Sequence, residues 1–367
     1  EYLLRQVHRN EWDFDGFTNC DFVWGVKDTV ASASSGLDIE MPITHFYGEK
    51  LLEAVREGEV TEQTIDESAL RIIRTLLAHE HFIEEHKKEG SCDYRKHQEL
   101  ALRCAGEGIT LLKNEDQLLP IDCKKGKKIV VLGSYADREN IGDRGSSQVY
   151  APYVVTILQG ITEYPADVEV IYYSGGSASH CRQLAKEADV VVIVAGNDYL
   201  DEGECVANES ADVTVQNEGG DRTDCLGLKE EHLRIIDAVG KVPQDAVVGL
   251  VGGSMILMDE WEDQVGAILM AYYPGMEGGK AVADVLFGKT NPGGKLPFVI
   301  PKKEEDLPEI DWDAEEFRYG YYHGYTLLNK NHVEPLYPFG YGLSYTTFTL
   351  ADMKAWGDGE NLYASVV

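Results

Sequence analysis

The chain has 367 residues, with 33 Lys and Arg against 64 Asp and Glu, so its formal net charge at pH 7 is -31. This length predicts two domains, with room for pieces of others. Unassisted binding to nucleic acid or to an anionic membrane needs clustered cations, and the composition therefore argues against both partners. Neutral and cationic small molecules remain open as ligands.

The seven cysteines are an odd number and include no CxxC pair. This argues against a zinc ribbon and a dense disulfide framework, and it favours a reducing compartment such as the cytoplasm. No run of 18 apolar residues and no signal sequence are present, so no membrane span is predicted. The chain opens at Glu1 in what reads as the interior of a domain, and we expect further residues before it.

The first elements are predicted to be helices around one short strand. Residues 1–12 read as a polar helix, and "GFTNCDF" (16–22) reads as a short strand that ends in a functional loop. The run 14–25 is aromatic and apolar, which predicts burial of the aspartate in its middle, Asp21. A buried carboxylate is costly unless it is paired or used.

Helical periodicity follows over 49–60 and 64–77, and Thr64 with Glu67 is a candidate capping box for the second helix. Its predicted apolar face consists of Ile65, Ala69, Ile72, Ile73, Leu76 and Leu77.

The segment 79–100 is charged and poor in apolar residues, which predicts a linker. A metal site at His79, His81 and His86 is the chemical alternative. No matching Cys or carboxylate pattern accompanies these histidines, so we expect no metal there.

After Asp93 the sequence alternates apolar runs that end in glycine with amphipathic segments. The runs read as buried parallel strands and span 127–133, 168–175, 189–196, 245–253 and 266–275. The amphipathic segments read as crossover helices and span 177–188, 228–241 and 277–288. The pattern predicts a doubly wound α/β domain near 100–300.

Ligands of such sheets bind at the carboxyl ends of strands, which directs attention to the loops after Gly133, Gly196 and Gly253. The segment 142–152 is rich in glycine and hydroxyl groups, as phosphate-binding loops are. Because the P-loop and GxGxxG fingerprints are both absent, we expect no nucleotide site.

The loop after the strand 189–196 carries four carboxylates, Asp198, Asp201, Glu202 and Glu204. A calcium loop is disfavoured because its required spacing is missing. A solvated acidic loop and a catalytic carboxylate remain, and the loop by itself favours the first.

When Asp21 is considered together with this loop, a catalytic carboxylate becomes the favoured interpretation. A retaining glycosidase needs two carboxylates, one as nucleophile and one as acid and base. Phe22 and Trp24 could stack on a sugar ring. Phe14 and Phe17 are assigned to ordinary core.

Several ordered segments resemble the family 3 glycoside hydrolases, in their β-glucosidase-like branch. They are "EWDFDGFTNCDFVWG", "GLDIEMP" (36–42), "EGITLLKNEDQLLPI" (107–121), "GDRGSSQVYAPYVVTILQGI", "AYYPGMEGGKAVADVLFGKTNPGGKLPFVIP" and "YPFGYGLSYTTF" (337–348). The resemblance covers nearly the whole chain.

The resemblance implies a (β/α)8-like barrel, an α/β sandwich and a fibronectin III-like domain. The fold class it implies here is α/β, an incomplete (β/α)8-like barrel remnant followed by a doubly wound α/β sandwich. The expected boundaries are 1–78 for the end of the barrel, 79–100 for the linker, 101–302 for the sandwich, 303–345 for a connecting segment and 346–367 for the start of the fibronectin III-like domain. The rest of the barrel is expected elsewhere in the full-length chain.

By the same resemblance, Asp21 is the nucleophile. The family's usual next residue is tryptophan, whereas here it is Phe22, so Trp24 is expected to share the stacking on substrate. Arg144 either contacts sugar hydroxyls or orders its own loop.

The family's acid/base is a glutamate, often within E-G-x-D-R. Alignment on "EGE" makes Glu204 the first candidate and Glu202 the second. Glu218 is the third, favoured if the match is anchored on Asp221 and Arg222.

The expected function is that of a retaining, exo-acting β-glycosidase of the β-glucosidase type, without metal or organic cofactor. Its substrate would be a β-glycoside or oligosaccharide, and a homodimer is compatible with the sequence. The alternative is a non-catalytic fragment, or a doubly wound module that binds a sugar or another small ligand.

Overall fold

The computed structural model describes residues 2–86, 93–123, 125–142, 144–203, 220, 222, 225–242, 245–311, 314, 316–318 and 320–366. The chain divides into two compact units, Glu1–Cys92 and Asp93–Val367. Within the described ranges, no helix is both long enough and apolar enough to cross a membrane.

The first unit is built from helices. They are a π-helix (Tyr2–Glu11) and the α-helices α1 (Thr29–Ser35), α2 (Glu49–Arg56) and α3 (Glu62–His86). The strand predicted over 16–22 does not form. A single parallel bridge joins Asn19 to Ile39, and no second pair of described residues continues it into a ladder. The prediction was wrong because a segment with high β-propensity forms a strand only where a second strand lies beside it to pair with.

Helix α3 begins earlier than predicted, because Thr61 rather than Thr64 caps it. The Thr61 hydroxyl accepts a hydrogen bond from the Thr64 amide at 3.2 Å. The predicted apolar face is also less buried than its periodicity suggested, since Ile73, Leu76 and Leu77 are 54, 57 and 63% exposed.

The segment 79–100, expected to be a linker, overlaps two helices. Helix α3 continues to His86, and helix α4 (Tyr94–Gly108) begins after Asp93, whose carboxylate accepts from the Lys96 amide. The side chains of His81 and His86 lie outside the described residues, as do residues 87–92.

A six-stranded sheet organises the second unit. Its strands are β1 (Thr110–Asn114), β2 (Lys127–Leu132), β3 (Val168–Tyr173), β4 (Val190–Gly196), β5 (Asp245–Val251) and β6 (Ala267–Tyr272). They lie in the order β1-β6-β5-β4-β2-β3. Strands β2 to β6 pair in parallel, which confirms the five predicted strands, and β1 pairs antiparallel with β6. Strand β1 was not predicted, because only Thr110 to Leu112 precede the polar Lys113 and Asn114.

The remaining helices are α5 (Ile157–Thr162), α6 (Ala178–Glu187), α7 (Tyr199–Glu202), α8 (Glu230–Gly240), α9 (Gly278–Leu286) and α10 (Gly324–Asn331). Three of them, α6, α8 and α9, are the predicted crossover helices. A separate antiparallel hairpin is formed by β7 (Lys354–Gly357) and β8 (Leu362–Ser365).

Both faces of the six-stranded sheet are buried. Val130 and Leu132 belong to a cluster that includes residues of α6 and α8, whereas Ile129 and Val131 belong to one that includes residues of α5 and α9. Successive strand residues point to opposite faces, so continuous apolar runs serve both layers. The doubly wound α/β sandwich predicted from the sequence is confirmed.

Candidate functional site

Asp21 lies in a tight turn. The Gly25 amide donates to the Asp21 carbonyl at 3.1 Å, and the Val23 amide donates to the Met41 carbonyl at 3.1 Å. Val23 has a φ of 66°, a conformation that a β-branched residue rarely adopts, so the turn is held under strain. A Cβ on Gly25 would lie 2.6 Å from the Asp21 carbonyl oxygen, so this turn requires glycine.

Contrary to the prediction of burial, Asp21 is exposed. Phe22 and Trp24 beside it are 51 and 48% exposed. Phe14, assigned to the core, is 42% exposed, and Phe17 is half-buried. Within its own unit, the turn therefore presents a carboxylate flanked by two accessible aromatic rings.

Asp38, which sequence reasoning did not single out, is a buried carboxylate of this unit. It accepts hydrogen bonds from Arg9 at 2.8 Å, Arg71 at 2.6 Å and the Thr18 amide at 2.8 Å. Burial acts to raise the pKa of this carboxyl, but hydrogen bonds led by those from Arg71 and Thr18 outweigh burial and hold the pKa below its ordinary value of 3.8.

Glu40 is also fully engaged, since it accepts from the amides of His45, Phe46 and Tyr47 at 3.0, 3.0 and 2.7 Å. Both residues lie in "GLDIEMP". Two charged residues inside this apolar run could have identified them from the sequence as buried, paired carboxylates. In contrast, no described residue donates a hydrogen bond or forms an ion pair with the Asp21 carboxylate.

A second polar cluster lies at the carboxyl ends of β4, β5 and β6, where the sequence directed attention. Glu202, the last residue of α7, accepts from the Tyr273 hydroxyl at 2.7 Å, from the Ser254 hydroxyl at 3.0 Å and from the Gly253 amide. Its Oε2 lies 3.5 Å from Nε of Arg222. The side chains of Glu202 and Arg222 are 11 and 10% exposed, so the pair is shielded from water.

The other two described carboxylates of this loop, Asp198 and Asp201, are paired too, so its described part is not the solvated acidic segment that the sequence favoured. Asp198 is 1% exposed and accepts from Arg138 and from the Leu200 amide. Asp201 is paired with Lys229. These contacts hold α7 against its neighbours.

Three residues named in the acid/base predictions, Glu204, Glu218 and Asp221, lie outside the described residues. Glu202 and Arg222 are described.

Arg144 contacts Tyr199, the first residue of α7, with its guanidinium carbon 3.4 Å from the centre of the ring. A cation over an aromatic face is a favourable arrangement. This contact supports the loop-ordering role predicted as one of two for Arg144.

A cavity of about 1690 Å³ opens beside Glu202 within the second unit. Aromatic rings and carboxylates line it, among them Tyr273, Tyr325, Phe339 and Glu304. Tyr325 and Phe339 stack with ring centres 5.1 Å apart. Flat aromatic faces beside hydrogen-bonding groups are typical of pockets for polar organic ligands.

The crevice between β2 and β4, where the strand order reverses, is filled by protein groups. The Asn140 side chain donates to the Asn197 carbonyl at 2.8 Å, and Arg138 pairs with Asp198. A small cavity of about 20 Å³, enough for about one water molecule, is lined by residues of the loop after β2, of α5, of the end of β5 and of the loop between β6 and α9. In the part of the chain that the structure describes, no group of three or more His, Cys, Asp or Glu residues could hold a metal ion.

The chain is similar in sequence and in fold to known proteins. The glycosyl hydrolase family 3 C-terminal domain matches residues 109–345. The chain is 34% identical to thermostable beta-glucosidase B of Acetivibrio thermocellus over 96% of its own length and 46% of that protein. It is 31% identical to an exo-alpha-(1->6)-L-arabinopyranosidase of Bifidobacterium longum, over 98% of the chain and 48% of that protein.

Among solved structures, beta-glucosidase 3B from Thermotoga neapolitana in complex with glucose superimposes with a TM-score of 0.81 at 27% identity, over 100% of this chain and 55% of that one. The chain thus spans about half the length of the curated relatives it matches. Since the family domain covers most of the second unit and the sandwich fold agrees with it, the chain belongs to glycosyl hydrolase family 3.

Proposed function

We propose that the protein is a retaining, exo-acting β-glycosidase of the β-glucosidase type, which releases terminal non-reducing β-D-glycosyl residues. The observation that carries the proposal is the state of the Asp21 carboxylate. It is exposed between two accessible rings and no described residue donates to it, whereas Asp38 and Glu40 in the same unit are held by several donors each. A nucleophile must be free to attack, and among the described contacts only Asp21 of these three accepts no hydrogen bond.

The reaction proceeds by double displacement. An Asp21 carboxylate oxygen bonds to the anomeric carbon while the bond to the leaving oxygen breaks, and a protonated glutamate gives its proton to that oxygen. The same glutamate then takes a proton from water, which attacks the anomeric carbon and releases Asp21. The first candidate for this glutamate is Glu204, with Glu202 and Glu218 as alternates.

Retention requires the two carboxyl groups to lie about 5–5.5 Å apart. Trp24 and Phe22 are proposed to stack on the sugar ring, and Arg144 to support the loop beside α7. The first unit is proposed to be the end of the barrel, with the remaining barrel segments in the full-length polypeptide, and β7 and β8 to begin the fibronectin III-like domain.

A 2-fluoro-glycoside inactivator tests the nucleophile. We expect it to label Asp21 in the full-length protein, as read by mass spectrometry of the peptide that contains 14–25. Hydrolysis that continues with no label, or a label on another carboxylate, rejects the assignment. Asp38 provides an internal control, because its carboxylate is occupied by Arg9 and Arg71.

The sugar is tested with aryl glycosides that share one leaving group. The relatives are named for β-glucosides and for α-(1→6)-L-arabinopyranosides, so both series are compared. We expect kcat/KM to be larger for the β-D-glucoside than for the α-L-arabinopyranoside. A larger kcat/KM for the arabinopyranoside would reject the β-D-glucoside as the preferred substrate. Asp21 would remain the proposed nucleophile.

The large cavity beside Glu202 favours a second candidate function, a module that binds a sugar or another small ligand without catalysis. Calorimetry with glucose and cellobiose on the Asp21→Asn protein separates the two. Saturable binding that Phe339→Ala abolishes, with no hydrolysis by the wild-type full-length protein, would favour the binding module.

A further inference from the structure

The turn that carries Asp21 is held by the backbone of Met41, which lies in "GLDIEMP". The Met41 amide donates to the Cys20 sulfur at 3.1 Å, and the Cys20 thiol donates to the Met41 carbonyl at 3.5 Å. A thiol offers one weak donor and one weak acceptor, and here both are used on a single partner residue. Cys20 and Met41 therefore form a reciprocal pair, which we call the Cys20–Met41 clasp.

The Met41 carbonyl also accepts from a residue on the other side of Asp21. The Val23 amide donates to it at 3.1 Å, so one oxygen receives hydrogen bonds from both Cys20 and Val23. A carbonyl oxygen has two lone pairs, and these two donors occupy them. Asp21 thus lies in a stretch of four residues whose two ends are fixed to the same atom.

Met41 is itself anchored on both sides. Glu40, which precedes it, accepts hydrogen bonds from the three amides of residues 45–47, which follow it. Cys20 is 7% exposed and belongs to a small apolar cluster with Val26 and Leu37. Because the sulfur of the clasp is buried, water competes little for its hydrogen bonds.

We propose that Cys20 is a positioning residue for Asp21, which acts through the Met41 backbone rather than on the substrate. The inference rests on the proposed glycosidase function and deepens it, because it names a residue that sets where the nucleophile stands. A reacting group has to be held within about 0.5 Å of its productive geometry, and hydrogen bonds of its neighbours supply that precision. No described residue donates to the Asp21 carboxylate, so its direction depends on the backbone that carries it.

The test compares Cys20→Ala with Cys20→Ser in the full-length enzyme. Alanine removes both hydrogen bonds of the clasp, whereas serine keeps a donor and an acceptor at the same place. The matched control is Cys181→Ala, which removes the same sulfur atom from a buried cysteine of α6 in the other unit. The 2-fluoro-glycoside supplies two measurements for each variant, the rate of labelling and its final extent.

We expect the labelling rate to fall by about tenfold in Cys20→Ala, less than the hundredfold that a displacement of about 1 Å costs, because the bond from Val23 remains. Cys20→Ser should recover most of the rate, and Cys181→Ala should label as the wild type does. The final extent should match the wild type in every variant. A merely structural role would lower the final extent through loss of folded protein and leave the rate of the folded fraction unchanged. That result would overturn the proposal.

Glu40→Gln loosens Met41 from its other side and keeps the proposal testable if Cys20→Ala does not fold. The glutamine side chain cannot accept from all three loop amides, since its NH2 group donates. We expect its labelling rate to fall by about threefold at an unchanged final extent. A wild-type rate in Glu40→Gln would overturn the role assigned to the Met41 backbone.

Hydrogen exchange supplies a readout that does not depend on activity. In Cys20→Ala, the amides of Val23 and Met41 should exchange about tenfold faster than in the wild type, and in Cys20→Ser and Cys181→Ala close to the wild-type rate. Unchanged exchange in Cys20→Ala would overturn the clasp whether or not the enzyme is a glycosidase. Wild-type protein that hydrolyses substrate without a label on Asp21 would instead reject the proposed function, and with it the positioning role, while the exchange result would still report on the clasp.

Discussion

Asp38 and Arg71 form a buried ion pair, with the arginine Nη2 2.6 Å from the carboxylate and the Asp38 side chain fully shielded from solvent. Arg9 approaches the same carboxylate at 2.8 Å. The π-helix Tyr2–Glu11, the "GLDIEMP" segment and α3 are thereby tied together through one side chain. The Asp21 turn lies against this segment through the hydrogen bond from Val23 to Met41.

Replacing Asp38 by asparagine leaves two arginines without their shared counter-charge. We expect Asp38→Asn to lower the free energy of unfolding by about 3 kcal/mol, because breaking a buried pair strands an uncompensated charge. Urea denaturation of the chain measures this change. Asp66→Asn, an exposed aspartate on α3, is the matched control and should change stability by less than about 0.5 kcal/mol.

The contribution of Asp38 should depend on pH. Its pKa is held below 3.8 in the folded chain, so its stabilisation is fully present above that value and is lost as pH falls through the folded-state pKa. The stability difference between wild type and Asp38→Asn should therefore be constant from about pH 5 to 7 and shrink below about pH 4. A difference that grows on acidification would contradict the ion-pair account. Urea unfolding at a series of pH values provides the data.

Gly25→Ala should damage the turn that presents Asp21. Its new methyl group would meet the Asp21 backbone, with the nitrogen at 2.7 Å and the oxygen at 2.6 Å, and backbone cannot move aside as a flexible side chain can. We expect the rate of labelling by the 2-fluoro-glycoside to fall by at least about tenfold. Gly108→Ala is the control, because no heavy atom lies within 4 Å of its added Cβ. Equal labelling of both variants would show that the turn does not position Asp21.

Trp24→Ala should weaken substrate binding. The ring is 48% exposed and is held from one side by the ammonium of Lys27, 5.0 Å from its centre. Loss of a stacking face of this kind costs about 1 kcal/mol, so KM for an aryl β-glucoside should rise about fivefold with little change in kcat. Trp356→Ala, which removes a ring that is 51% exposed on β7, should leave KM unchanged.

The sandwich was predictable because each of its five parallel strands is a short apolar run that ends at a glycine. Val190 to Gly196, for example, is buried along its whole length, and only a strand covered on both faces needs such a sequence. Strand β1 was not predicted because polar residues at its C-terminal end interrupt the apolar run. Lys113 is nevertheless buried there, where its ammonium donates to the Glu262 carbonyl at 2.8 Å.

The candidate site was also predictable only in part. The residue types and the loops that carry them were visible in the sequence, including Asp21, Glu202 and the glycine after β5. The sequence could not show that Glu202 is enclosed by donors while no described residue donates to Asp21. Those states depend on Tyr273 and Arg222, which lie 71 and 20 positions from Glu202 and reach it only in the folded chain.

By itself, the sequence determined the layered α/β architecture, because burial and local periodicity show residue by residue, and the resemblance of its motifs indicated the family and the short list of carboxylates. Only the tertiary structure decided which of the described carboxylates accept hydrogen bonds from the protein. The charge state and role of a carboxylate depend on donors brought together from separate strands and loops, and no local pattern encodes that meeting. Asp38 is the clearest case, since Arg9 and Arg71 stand 29 and 33 positions away from it on either side.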